Sequence, residues 1–190
     1  LLRRGAFDPL ANPIDLSSSP LPPTGELHLV QFATQALDGY RAALEELGAQ
    51  IHAYVANQAY IVRMDAATGA AVAGLPFVRW VGPYHPEFRL DGEILDALRA
   101  GTLTGVRTYN VQVLEQGLAQ KHAVAQRVRD LGGAVEAVHP GGYLLQAAMD
   151  AATLTEVVAM DEVAWIDPWG PGETDMDLAR QIGGADYVEG

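Results

Sequence analysis

The chain has 190 residues, a net charge of −12 and no cysteine. That charge opposes phosphate backbones and anionic lipid, and the single lysine, Lys121, cannot form a basic patch, so neither nucleic acid nor a membrane is an expected partner. Disulfides, thiol catalysis and zinc ribbons are excluded. Hydrophobic residues make up 49% and charged residues 19%, a composition that supports a folded protein. No apolar run is long enough to span a bilayer, and Leu1-Leu2-Arg3-Arg4 lacks the apolar centre of a signal peptide, so no export signal is expected within these residues.

In chain order, residues 1–24 are rich in Pro, Ser and Leu without a period and read as an extended tail that gains order by lying on something else. All three serines fall here, at Ser17, Ser18 and Ser19. A Ser-His-Asp site needs its nucleophile on a rigid turn, so no catalytic triad is expected on this chain. A first module over 25–84 opens with a strand in which His28, Val30 and Phe32 alternate with Leu29 and Gln31. Leu37, Tyr40, Leu44 and Leu47 then form the stripe of an amphipathic helix, which Gly48 ends. Strands follow near 50–55 and 58–64, joined by a turn at Ala56-Asn57. Asp65 stands as the N-cap of a short second helix ending near Gly74, and a last strand carries Trp80.

Residues 85–106 read as an ordered connector with a short helix at Glu93–Ala100. A second module over 107–169 repeats the first. Val111 and Val113 flank Gln112, and Val124, Val128 and Leu131 renew the helical stripe up to Gly132. Strands near 134–138 and 143–148 turn at His139-Pro140-Gly141-Gly142, and Asp150 takes the place of Asp65. Residues 61–84 align without a gap on 146–169, nine of 24 positions being identical where composition alone would give about one or two. The shared positions include Val78/Val163, Trp80/Trp165 and Pro83/Pro168.

The order strand, helix, strand, strand, helix, strand, given twice, predicts an α+β protein of two tandem ferredoxin-like βαββαβ sandwiches. Each is a four-stranded antiparallel sheet with two helices on one face. Strict alternation sets Trp80 and Trp165 on one sheet face with Val78 and Val163, and Val81 and Ile166 on the other. The indoles then either cover the core or lie on the open face as a partner-docking surface.

Other chemistry finds little support. The five histidines, at 28, 52, 85, 122 and 139, show neither an i, i+4 pair nor HExxH. Glu173, Asp175 and Asp177 alternate, but without the glycine and glutamate of a calcium loop. The Gly-Gly and Gly-Pro-Gly sites lack a phosphate-binding fingerprint. No metal and no cofactor is expected.

The second module resembles the pro-region of subtilisin-like serine proteases. The likeness lies in Tyr109-Asn110-Val111, Leu131-Gly132-Gly133-Ala134-Val135, Ala151-Ala152-Thr153-Leu154 and the closing Val163-Ala164-Trp165-Ile166-Asp167. It covers nearly all of 108–167 and, more loosely, 27–84, whereas the usual pro-region has one module. Residues 176–187 are similar to the segment that introduces the catalytic domain in a group of bacterial subtilases, and the aspartate motif that opens that domain is not reached by Gly190.

The resemblance implies an inhibitor and folding chaperone rather than the protease, with the subtilisin-like catalytic domain of the same precursor as partner and a secreted or periplasmic setting. It implies docking through Val163, Trp165, Asp167 and Trp169. It also implies a C-terminal segment, 170–190, that occupies the substrate cleft, cut near Thr174, Asp175 or Met176, or after Tyr187, Val188, Glu189 and Gly190. The competing expectation is a tandem ferredoxin-like regulatory module that binds a small molecule such as an amino acid. It needs a glycine turn after the first strand, which Ala33-Thr34-Gln35-Ala36 lacks and Glu115-Gln116-Gly117 partly offers.

Overall fold

A computed structural model describes residues 8–22 and 25–170. The first module runs β1 (Leu27–Phe32), α1 (Asp38–Glu46), β2 (Gln50–Val55), β3 (Ala59–Arg63), α2 (Ala66–Ala73) and β4 (Val78–Pro83). A 3-10 turn at Pro86–Phe88 and α3 (Gly92–Arg99) form the connector. The second module repeats the pattern as β5 (Arg107–Val113), α4 (Ala119–Asp130), β6 (Ala134–Val138), β7 (Leu144–Met149), α5 (Ala151–Val158) and β8 (Val163–Pro168). The strand orders β2-β3-β1-β4 and β6-β7-β5-β8 correspond element for element, and every pairing within them is antiparallel. These are two tandem ferredoxin-like βαββαβ units.

Local chemistry explains the boundaries. Asp65 and Asp150 each accept the amide proton of the threonine three residues on, at 2.7 and 2.8 Å, and so cap α2 and α5. These bonds hold both carboxyls below the usual carboxylate range. Gly48 and Gly132 take φ of +94° and +87° just past α1 and α4, where a side chain would be strained. The expected stripe on α1 is narrower than its spacing suggested. Leu44 is buried and Tyr40 packs on the core, but Leu37 and Leu47 fall outside the helix and are exposed. The first hairpin turns at Asn57-Gln58, both at positive φ, one residue later than Ala56-Asn57.

Each sheet buries one face under its helices. Val30, Phe32, Leu44, Val62 and Val72 centre the first core, and Val111, Val124, Val128, Leu145, Leu154 and Ile166 the second. The second core is not confined to 107–169. Leu21 from the tail, Leu90, Ile94 and Leu95 from the connector, and Leu103 before β5 all join it. A module of some sixty residues has little interior of its own, so recruiting five neighbours enlarges what it can bury.

The modules meet through polar contacts around a buried histidine. Arg63 donates to the Asp161 carbonyl at 2.7 Å, Asp161 accepts the Glu26 amide at 2.8 Å, and Gln50 donates to Glu115 at 3.1 Å. The His52 side chain is 3% exposed, with Nδ1 3.8 Å from Glu115 and Nε2 buried without a partner. Burial and then the Arg63 cation hold its pKa below the ordinary 6.5, against the pull of Glu115. Between the folded and unfolded pKa values the unfolded chain binds more protons. His52 therefore favours folding fully above about pH 6.5 and progressively less as pH falls through that window. The denaturant midpoint is expected to drop between about pH 7.5 and 5, and His52→Gln to flatten that drop; a wild-type midpoint constant over this range would refute the assignment.

Candidate functional site

The two closing strands carry the repeated tryptophans, and both contain a bulge that strict alternation does not anticipate. In β4 the register steps from Trp80 opposite Gln31 to Val78 opposite Phe32, leaving Arg79 extra. In β8 it steps from Trp165 opposite Gln112 to Val163 opposite Val113, leaving Ala164 extra. One inserted residue shifts the alternation and turns the preceding side chain to the face opposite the tryptophan. Val78 therefore shares the helix-covered face with Val81, and Val163 shares it with Ile166. The expected grouping of each tryptophan with its valine is corrected accordingly. Val163 is fully buried in the core and takes no part in a surface.

Both indoles lie on the face opposite the helices, but the two faces differ in kind. In the first sheet, Leu27, Leu29 and Ile61 make that face apolar. Tyr84 just past β4, Phe88 of the connector, Ile14 and Leu16 of the tail, and Leu114 of the second module pack with them and with Trp80. Arg79 anchors the tail, donating to both oxygens of Asp8 at 2.8 and 2.9 Å and to Gln31 at 2.7 Å. Trp80 thus serves packing.

In the second sheet, the corresponding face carries Asn110 and Gln112 on β5, Leu144, Gln146 and Ala148 on β7, and Trp165 and Asp167 on β8. Gln112 is exposed, the others are half-buried, and none joins a hydrophobic cluster among the described residues. At the rim Thr108 donates to Glu136 at 3.1 Å.

One position separates the indoles sterically. A Cβ on Gly82 would lie 2.0 Å from the Trp80 ring, so Trp80 lies along its own strand only because residue 82 has no side chain. The matching residue in the second module is Asp167, opposite Asn110 as Gly82 is opposite Leu29. An indole placed as Trp80 is would strike its Cβ. The sequence therefore keeps Trp165 out of the folded-down arrangement and sets a carboxylate beside it.

Of the four residues expected to dock, Trp165 and Asp167 come together on this face and Val163 does not. Trp169 lies past the strand end, its amide donating to the Thr108 carbonyl at 3.1 Å. It is 43% exposed at the mouth of a cleft beneath α3. Thr174, Asp175, Met176, Tyr187, Val188, Glu189 and Gly190 lie outside the described residues. Among the described residues, no three His, Asp or Glu side chains are grouped so as to hold a metal ion, and no helix is long and apolar enough to cross a membrane.

The difference between the faces is legible in the sequence of the two central strands. β1, Leu-His-Leu-Val-Gln-Phe, has leucines on the face away from the helices, whereas β5 has Asn110 and Gln112 there. Strands covered on both sides are apolar on both; strands covered on one side alternate.

Among known proteins, the family described as Domain of unknown function (DUF8729) matches residues 1–85, the tail and first module. No curated protein matches the chain.

Gly82→Ala is expected to destabilise the chain by about 1–3 kcal/mol through overpacking against Trp80. Gly92→Ala, where an added Cβ meets nothing within 4 Å, should be neutral or slightly stabilising. Denaturant titration of the two variants measures this, and equal midpoints would contradict the steric assignment.

Proposed function

We propose that this chain is the propeptide of a subtilisin-like serine endopeptidase, acting as folding chaperone and then as inhibitor of the catalytic domain of its own precursor. The carrying observation is the asymmetry of the sheets. The second module, whose residues carry the pro-region resemblance, has a polar outer face that includes Trp165 and Asp167, while the first module's corresponding face is apolar and packed by the tail, the connector and Leu114.

In this reading the second sheet docks on surface helices of the catalytic domain. Asp167 and Glu136 are acids that can meet helix N-termini, where the macrodipole favours negative charge. Trp165 contributes an aromatic anchor of the kind that dominates interface energetics. A preformed sheet surface of this kind speeds assembly of a parallel-sheet domain, whose non-local pairings form slowly. The chain beyond β8 then runs through the substrate cleft as an added strand and is cut there, remaining as a bound product until the pro-region is degraded. The first module holds the connector and tail against the second and supports the docking face indirectly.

The test is inhibition of a mature bacterial subtilase by the full chain, with the catalytic domain of the same precursor as the decisive case. Hydrolysis of a peptide substrate should be blocked with an inhibition constant in about the nanomolar range, fading as the chain is digested. Trp165→Asp should weaken inhibition about 10–100-fold, while Tyr54→Ala, at the far edge of the first sheet, should change it less than about twofold. Absence of inhibition of that catalytic domain at micromolar concentration would reject the proposal.

A further inference from the structure

The edge of the closing strand is filled on the second module. Connector residues 89–91 lie parallel to β8 as a short added strand: the Ile166 amide donates to the Arg89 carbonyl at 2.7 Å, and the Asp91 amide donates to the Ile166 carbonyl at 2.9 Å. The Arg89 guanidinium reaches past the edge to the end of α5, donating to the carbonyls of Val158 at 3.4 Å and Met160 at 2.9 Å. Leu90 is paired with Ile166, and both join the second core. Strand edge, helix end and core margin together form a socket for an extended segment that carries an arginine.

The first module carries the same socket. The gapless alignment sets Val81 against Ile166, Ala73 against Val158 and Leu75 against Met160. Local geometry agrees: the Val78 amide donates to the Leu75 carbonyl at 3.1 Å, as the Val163 amide does to the Met160 carbonyl at 3.2 Å. On the strand, the Tyr84 amide donates to the Leu27 carbonyl at 2.9 Å, and bonded and non-bonded pairs alternate along an antiparallel ladder. Counting from that bond, Gly82 opposite Leu29 is a bonded pair and Val81 opposite Val30 is not, so the Val81 N–H and C=O point away from β1. The order β2-β3-β1-β4 makes that side of β4 the edge of the sheet.

Among the described residues, no backbone bond from another segment reaches Val81, and no cationic side chain donates to the Ala73 or Leu75 carbonyl. The tail does not take the connector's place, since its hydrogen bonds to β4 run from the Arg79 guanidinium to Asp8, which also pairs the Arg79 charge. Pro83 removes one donor from the edge, but Pro168 stands at the matching position beside the filled edge of β8 and does not prevent pairing there.

We propose that the outer edge of β4 and the carbonyl end of α2 bind an extended segment of another protein that carries an arginine, then an apolar residue, then a residue with a free amide proton. The segment lies parallel to β4. Its arginine carbonyl accepts from the Val81 N–H, its third amide donates to the Val81 carbonyl, and its guanidinium meets the Ala73 and Leu75 carbonyls, where the helix dipole favours a cation. The planar fork of arginine reaches two carbonyls at once, which the point charge of lysine does less well. The apolar residue extends the first core beside Val81, which packs on it. A net charge of −12 favours the approach of a basic segment. A second copy of this chain would have to withdraw its own Arg89, which is fully buried and bonded, so the partner is a different polypeptide. This edge does not rest on the inhibitor reading, which uses the outer face of the second sheet.

The test uses the full chain, isotope-labelled, and the peptide acetyl-Glu-Phe-Arg-Leu-Asp-Gly-amide, which has the sequence of residues 87–92. Saturable one-to-one binding is expected below about 1 mM peptide, with the Val81 amide resonance shifting and the Ile166 resonance unmoved. Glutamine in place of the peptide arginine, or N-methylation of its aspartate amide, should each weaken binding at least about tenfold, because each removes one anchor. Val81→Pro, at a position where the N–H faces outward, should abolish binding with the circular dichroism spectrum unchanged. Absence of saturation at about 1 mM overturns the proposal. A shift at Ile166 in place of Val81 overturns it too, because the peptide would then have displaced the connector. So do modified peptides that bind as tightly as the parent, whatever the proline variant does to the fold.

Discussion

The buried guanidinium of Arg89 holds the molecule's two halves in register. It donates to the Tyr84 carbonyl at 2.6 and 3.0 Å and to the Met160 carbonyl at 2.9 Å, and it stacks 4.9 Å from the centre of the Tyr84 ring. Tyr84 belongs to the packed outer face of the first sheet, and its hydroxyl donates to the Ala164 carbonyl in β8. The Ile166 amide bonds the Arg89 carbonyl, and the Asp91 amide bonds the Ile166 carbonyl. Two side chains, Arg89 and Tyr84, and three residues of backbone thus tie the exit of the first module to the last strand of the second and the residues before it. Burial pulls the guanidinium down to about 10, which leaves it charged near neutrality. The aligned carbonyl dipoles stand in for a buried counter-ion.

From that tie follows the unequal use of the two sheets. The connector turns back across the first sheet, bringing Tyr84 and Phe88 over Leu27, Leu29 and Ile61, and the tail completes the cover with Ile14 and Leu16. The same connector carries α3 into the second core. Glu87, fully buried in this turn, accepts at both carboxylate oxygens from the single Nη2 of Arg99, at 2.8 and 2.7 Å, fixing the end of α3 to the turn. The connector is therefore structural for both modules, and the outer face of the second sheet is left polar.

The duplicated strand phrase shows how a small substitution divides two copies of one fold. Glycine at 82 lets an indole lie flat under a cover; aspartate at 167 prevents that and supplies a charge. The bulges at Arg79 and Ala164 occur in both copies, so the repeated register belongs to the fold. The residue following the tryptophan by two is where the copies diverge in use.

The sequence by itself determined the elements and their order, because periods of two and 3.6, aspartate caps at 65 and 150 and stop glycines at 48 and 132 are local signals read within a few residues. It also carried, in the leucines of β1 and the amides of β5, the information on which outer face would be covered. Only the tertiary structure decided what covers it and on which face Val78 and Val163 fall. A bulge depends on pairing with β1 and β5 across the sheet, and alternation along a single strand cannot reveal it. The same holds for the socket that Arg89 fills. The Val158 and Met160 carbonyls lie 69 and 71 positions along the chain from it, and only the return of the connector onto β8 brings them to one place.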